Sequence, residues 1–509
     1  MEALLTETAV SWVFSQASTG DELMGNDEKL RGLKKGRASR LAGFAGLATS
    51  VAGNALRAAG ALAKTGSVQK AGEELHRRTA ENLAASLGDM KGLPMKVGQM
   101  LSYIDEFVPS KHRALYRETL SKLQSKTRPM DWESIEGTLV TSLGHPVDQV
   151  FAEFNKEPIA AASIGQVYEA RLHDGMKVAV KVQYPGIAEA IANDLNNVGS
   201  IMKPLLAVIP KVSVDAAATD LQERLLSECD YVSEAQAQEH FYGLYEYDEK
   251  IVIPKVIHEL SSPQVLVTEF IDGLTFQELF EQRTAEQRSE VGATIHRFVY
   301  QSLYKHGVLN TDPHPGNYIF LDDGRVAFLD FGSVQFYSES LRKAFCELTM
   351  ATIHGVRGQN LRSLVDATFG IPAHVELDEA FWLVAEDFIH LCAEPTCAAQ
   401  PYTYDPSLVR RISAKTAEIR TMLMQRTLKT GIWTPTQKGM VFMYRINFGL
   451  NSLLAELGAC GNWQAHAQTA CAVGTRYINH SFSEPTSELS SSVIHSMASI
   501  DALQSEQIP

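Results

Sequence analysis

Asn310-Thr311-Asp312-Pro313-His314-Pro315-Gly316-Asn317, followed by Leu329-Asp330-Phe331-Gly332, is the stretch on which the fold turns. Between the two runs, Tyr318 to Leu321 and Val326 to Leu329 read as short strands around an Asp322-Asp323-Gly324 turn. Phosphoryl transfer asks for this spacing. One carboxylate orients or deprotonates the nucleophile, while an amide and a second carboxylate hold magnesium on the phosphates. Asp312 is thus the candidate catalytic carboxylate, and Asn317 and Asp330 are the candidate metal ligands. A lone Asp-Pro or Asp-Phe-Gly marks an ordinary turn; both, in order across one hairpin, make a plain loop a poor explanation.

In kinases the catalytic-loop Asp, the Asn five positions later and the Asp-Phe-Gly run follow this order. Upstream, Val178-Ala179-Val180-Lys181 is a β-type run ending in the Lys expected to meet the α- and β-phosphates. A strand pair, Gln166 to Arg171 and Lys177 to Gln183, is predicted around His173-Asp174-Gly175, with further runs at Ile253 to Ile257 and Val265 to Glu269. The last runs on to Gly273 and resembles the strand and hinge that receive adenine. Thr268 would guard the back of that pocket, and backbone groups of Glu269 and Ile271 would meet the base. Where kinases carry a Gly-rich loop, this chain reads Ala160-Ala161-Ala162-Ser163-Ile164-Gly165. Alanine restricts both backbone approach and positive φ, so the loop is expected to be stiffer and to grip phosphate differently. No GxxxxGK sequence occurs, which excludes a simple Walker ATPase.

Length and charge set the frame. A chain of 509 residues, 45% hydrophobic, can bury more than one core, and its net charge of −14 argues against nucleic acid as the main partner. The six cysteines lack zinc or CxxC spacing and read as reduced, mostly buried thiols. The opening MEALLTETAVSWVF lacks a basic start before an apolar run, so no leader is read and a cytoplasmic location is expected. Leu41 to Ala63 is weakly polar but rich in Ala and Gly and carries Arg57; a mid-span charge costs about 2.5–3.5 kcal/mol, so no membrane span is read there. The basic residues Arg31, Lys34, Lys35, Arg37 and Arg40 before it could touch anionic lipid on the inner face of a membrane.

The organisation expected is a polar tail (1–37), a helical extension (38–150), a strand-rich lobe (151–271), a helical lobe (272–480) and a disordered tail (481–509). Trp382, Trp433 and Trp463 are expected in the core, and Glu246, Asp248, Glu249 and Lys250 in a solvated loop.

Three further features accompany the kinase-like order: Lys96-Val97-Gly98-Gln99 before the lobes, the Ala-rich loop, and Glu228-Cys229-Asp230 in a helical segment. Together these residues resemble the UbiB (AarF/UbiB) family of atypical kinases, which includes mitochondrial proteins supporting coenzyme Q synthesis. The resemblance spans about Arg37 to Arg445. It implies that Lys96 lies over the cleft, contributing to catalysis and pairing with Glu228, and that Gln99 approaches the nucleotide side and restricts protein substrates. It also implies that Glu234 holds Lys181 and that Asp230 lies near phosphates or metal. If the segment is one helix, Asp230 and Glu234 share a face and Glu228 is turned to another.

Departures from ordinary protein kinases weigh as much. Asn310-Thr311 replaces the usual His-Arg, His314 stands where Ser/Thr kinases place Lys, and no Ala-Pro-Glu run follows Gly332. The expected fold is α+β, a two-lobed protein-kinase-like core with an N-terminal helical extension and a mostly helical second lobe. The expected function is a magnesium-dependent ATPase or small-molecule kinase rather than a protein kinase acting in trans. The resemblance implies ubiquinone or related isoprenoid-lipid biosynthesis, with a quinone precursor or other lipid, quinone-biosynthesis proteins and peripheral membrane contact. The competing readings are a soluble phosphotransferase of aminoglycoside- or choline-kinase type, and a non-catalytic ATP-gated scaffold.

Overall fold

The computed structural model describes Arg77 and residues 130–161, 164–189, 229–369, 377–430 and 438–480. The expectations for Lys96, Gln99, Ala162, Ser163, Glu228, Trp433, both tails and the Leu41 to Ala63 segment fall outside these residues.

The first lobe begins with α1 (Trp132–Leu143), which Asp131 caps by accepting from the Ser134 amide and which ends at Gly144 with φ 72°. Ile135, Thr138 and Leu139 recur on one face of α1 and are buried. That face belongs to the core under the sheet, so α1 is part of this lobe although the sequence boundary at 150 left it in the extension. The sheet follows as β1 (Phe151–Phe154), β2 (Ala160–Ala161), β3 (Gly165–Leu172) and β4 (Lys177–Gln183). Gly175, at φ 89°, closes the β3–β4 hairpin as predicted. Alternation along β4 buries Val178, Val180 and Val182 completely, which turns Lys181 to the opposite face.

After α2 (Tyr231–Tyr245) come β5 (Ile251–Val252) and β6 (Val265–Glu269), and β6 completes the antiparallel order β1-β3-β4-β6 with β2 on β3. The expected strand over Ile253 to Ile257 is not formed. Pro254 has no N–H for a ladder, and the segment makes only an isolated bridge at Val256 with Thr268.

In the second lobe, α3 (Phe276–Gln282) and α4 (Ala285–Gln301) each open with a capping box, Thr275 with Glu278 and Thr284 with Gln287. Then β7 (Val308–Asn310) leads into the candidate catalytic loop, and β8 (Tyr318–Phe320) and β9 (Val326–Phe328) form the predicted hairpin, turning at Gly324 with φ 82°. A strand not predicted, β10 (Val334–Phe336), pairs with β7. The helices α5 (Glu339–Ile353), α6 (Gln359–Phe369), α7 (Glu379–Cys392), α8 (Pro406–Thr430), α9 (Lys438–Leu457) and α10 (Trp463–His480) follow.

Each lobe has its own core, and α2 serves both. Tyr231 and Ala235 lie in the first core; Phe241 and Tyr245 lie in the second with Phe298, Phe328, Phe331 and Trp463. Asp248 departs from the expected solvated loop. Arg297 of α4 grips it through two hydrogen bonds of 2.6 and 2.7 Å, and it accepts from the amides of Lys250 and Ile251.

Candidate phosphoryl-transfer site

Three elements meet at Lys181. Its ammonium on β4 donates to both oxygens of Glu234 on α2, at 2.7 and 2.9 Å, and stands 3.5 Å from Asp330 Oδ2. Glu234 is 4% exposed and Lys181 19%, whereas Asp330 is 36% exposed. Burial disfavours the ammonium, but the carboxylates of Asp330 and Glu234 outweigh it and hold the Lys181 pKa well above the usual lysine value. The Tyr231 ring lies 5.0 Å from the same ammonium and adds a cation–π contact.

Asp230 is placed differently from the single-helix expectation. It precedes α2 as its N-cap, accepting from the amides of Val232 and Ser233 and from the Ser233 hydroxyl at 2.6 Å, and its side chain is exposed. A capping residue has non-helical backbone, so Asp230 and Glu234 do not share a helical face. Cys229, just before it, is in a turn.

The catalytic loop is tied to itself and to the Asp-Phe-Gly run. Asn317 Nδ2 donates to the Asp312 carbonyl at 3.0 Å and to Asp312 Oδ2 at 3.2 Å. The Asn317 amide donates to the His314 carbonyl, and the His314 amide to that of Asp312. Sequence reasoning treated Asn310-Thr311 only as a departure from His-Arg, yet both residues brace the site. Asn310 Nδ2 donates to the Asp330 carbonyl at 2.7 Å, while its Oδ1 accepts from the Asp312 amide. Thr311 bonds the Ser333 carbonyl and hydroxyl. The signal was present in residue type, since a short amide and a β-branched hydroxyl beside a catalytic acid are suited to such bracing. Phe331 is buried against Phe241 of α2, ring centroids 4.9 Å apart.

Over the cleft, Ala160 and Ala161 are not loop but the short strand β2, paired with Val167 and Gln166. The Gly165 backbone crowds β4; a Cβ there would overlap the Val182 carbonyl oxygen. On the hinge side, Thr268 lies opposite Ala179. The Glu269 amide is spent on the Lys255 carbonyl, so only its carbonyl could meet a base. Ile271 follows β6 and is partly buried.

Lys181 thus joins β4 to α2 and the Asp-Phe-Gly run, and Asn310 joins that run to the loop carrying Asp312 and Asn317. Residues 122–360 match the family described as the ABC1 atypical kinase-like domain. The chain belongs to the ABC1 (UbiB/AarF) atypical kinase-like family. It is 31% identical over 284 residues to the atypical kinase COQ8, mitochondrial, of Schizosaccharomyces pombe, covering 55% of this chain and 45% of that protein. It is also 31% identical over 289 residues to an uncharacterized protein of Synechocystis, covering 54% of this chain and 70% of that one. The solved Rv3197–erythromycin complex from Mycobacterium tuberculosis is similar at 26% identity and a TM-score of 0.55, covering 79% of this chain and 98% of that one. The fold is thereby shared with that solved structure, and it is a kinase-like α+β fold. The chain spans about half the length of the first curated relatives it matches.

Proposed function

We propose that this ABC1-family chain binds magnesium-ATP at the Lys181 site and acts as an atypical kinase or ATPase supporting ubiquinone or related isoprenoid-lipid biosynthesis at a membrane surface. The observation that carries the reading is the convergence of Lys181, Glu234 and Asp330 within 3.5 Å of the ammonium, with Asp312 and Asn317 joined on the facing loop. Relatives named atypical kinase COQ8 support the biosynthetic context.

The donor set suits the ligand. Magnesium is bound through one or two protein oxygens together with substrate phosphates rather than in an all-protein cage. Among the described residues no group of three or more His, Cys, Asp or Glu is built to hold a metal, and Asp330 with Asn317 offers the smaller, oxygen-based set. Magnesium-ATP, when bound, supplies the transferable phosphoryl group. Lys181, kept charged and held by Glu234, neutralises phosphate oxygens. Asp312 orients the attacking hydroxyl or water and takes its proton. Lys96, Gln99 and Glu228 are assigned to control of access, Asp230 to the phosphate side, and Ala162 and Ser163 to the rest of the phosphate-covering turn, all on the resemblance alone. A quinone precursor or other lipid is the proposed acceptor or effector. Peripheral contact with a membrane and with quinone-biosynthesis proteins completes the reading. Among the described residues no helix is long and apolar enough to cross a membrane.

The test is ATP turnover by wild-type and Asp312→Asn protein with magnesium, with and without anionic liposomes carrying a phenolic quinone-precursor mimic. Lipid-stimulated turnover that falls about 100-fold or more in the variant is expected. Equal turnover in the two proteins would refute the role of Asp312; no lipid effect would refute the membrane coupling.

A further inference from the structure

Gly449 lies inside α9, a helix of 20 residues, where propensity favours alanine over glycine. Packing explains the choice. A Cβ on Gly449 would overlap Pro313 Cγ and lie 3.5 Å from Pro313 Cδ, so the helix backbone touches the ring next to Asp312. The next turns of α9 are anchored, because Leu450, Leu453, Leu454 and Leu457 are buried in the second core. On the far side, Gly292 of α4 allows another close approach, where a Cβ would come within 2.7 Å of Ala459 Cβ and 3.3 Å of Leu454 Cδ2. With its C-terminal half held in this way, α9 has little freedom to retreat from the loop.

We propose that α9 sets the height of the catalytic loop and that Gly449 is the positioning residue through which it does so. A methyl group added at Gly449 pushes on Pro313 rather than displacing the helix. The push is carried onward, because the His314 amide is bonded to the Asp312 carbonyl, the Asn317 amide to the His314 carbonyl, and Asn317 Nδ2 to Asp312 Oδ2. Both the acid and the metal-ligand candidate therefore move with the ring. A misplacement on the order of 1 Å costs about 100-fold in rate. The catalytic consequence rests on the phosphoryl-transfer reading of the site; the mechanical link does not.

The experiment compares wild type, Gly449→Ala, Pro313→Ala and the double variant in the full chain, by amide exchange at His314, Gly316 and Asn317 and by ATP turnover. Gly449→Ala is expected to lose protection at these three amides and to lose roughly 10- to 100-fold in kcat with KM for ATP within about twofold. In the Pro313→Ala background, where the ring is gone, adding Gly449→Ala is expected to change neither readout, the non-additivity that contact requires. Unchanged loop exchange in Gly449→Ala would overturn the proposal. So would equal losses in both backgrounds, or loss of protection spread over the whole lobe with a lowered Tm, since these mark a general helix effect. If wild type turns over ATP no faster than Asp312→Asn, the phosphoryl-transfer reading fails, while the exchange data still decide the role of Gly449.

Discussion

Lys181 and Arg362 each stand between two acids, and their geometries differ in an instructive way. Arg362 on α6 bonds its acids through all three of its nitrogens. Its Nη1 and Nη2 clasp Glu379, its Nε donates to Glu386 at 3.0 Å, and its guanidinium lies 5.6 Å from the Trp382 ring. Lys181 is lopsided, within 2.9 Å of both Glu234 oxygens but 3.5 Å from Asp330. A planar fork with all its partners in place makes a clasp between helices. A point charge held closely by one acid and at 3.5 Å from the other instead ties β4, α2 and the Asp-Phe-Gly run together at one ammonium.

The sharpest way to break this comparison is Asp330→Asn. If Asp330 were only a second clasp partner, the neutral side chain would be tolerated. As a metal ligand, it should cost about 3 kcal/mol or more of magnesium-dependent ATP affinity, roughly a hundredfold, read by calorimetric titration with and without magnesium. Undiminished magnesium-dependent affinity would end the metal assignment.

Next in size is a cross-comparison of Lys181→Met and Arg362→Met. Both leave a buried acid without its main cation, Glu234 at 4% and Glu386 at 7% exposure, and both should lower Tm. Only Lys181→Met should abolish ATP turnover, whereas Arg362→Met should retain the wild-type rate per folded molecule. Loss of turnover in both would show that the distinction drawn from geometry has no functional content.

A smaller effect separates the two sites by pH. Lys181 is held well above its ordinary pKa, against its burial, by Asp330 and Glu234, so its contribution to stability is present below about pH 10.4 and is lost as pH rises through the folded-state value. Hydrogen bonding from Arg362 holds Glu379 below its ordinary pKa, so that contribution is present above about pH 4.3 and is lost as pH falls through the folded-state value. Denaturant titrations across pH should show the deficit of Arg362→Met shrinking on the acid side and that of Lys181→Met shrinking only on the alkaline side. The reverse pattern would contradict both assignments.

The working residues were legible where spacing is short. Asp312, Asn317 and Asp330 fall within one loop and the run after its hairpin, β3 and β4 follow from period-two alternation, and β6 from a short apolar run. What stayed hidden depends on partners distant in sequence. Arg297 and Asp248, and Gly449 and Pro313, leave no local periodicity to read, while the periodic face of α1 does not say which core it joins. β10 was missed because three residues are too few to display a period, and its pairing with β7 is a property of the fold. Asp230 was misplaced for a local reason: Asp is a strong N-cap, and reading the segment as one continuous helix ignored that start signal.

The smallest effect expected is at β2. Ala160→Gly removes a Cβ from this short strand, and a glycine there costs about 0.5–1 kcal/mol of order. The ratio of ATP to ADP affinity should shift by roughly two- to fivefold. Identical ratios in competition titrations would remove β2 from nucleotide discrimination.

A helix with one half in each core acts as a rivet. Swinging α2 outward to part Glu234 from Lys181 would drag Tyr231 out of the first core or Phe241 and Tyr245 out of the second, each a fully or nearly fully buried ring. Re-exposing one such side chain costs about 1.5–3 kcal/mol, and several together would consume much of a domain's net stability. The Lys181–Glu234 pair is therefore fastened by both cores at once, and a motion that parts it carries the cost of exposing those rings.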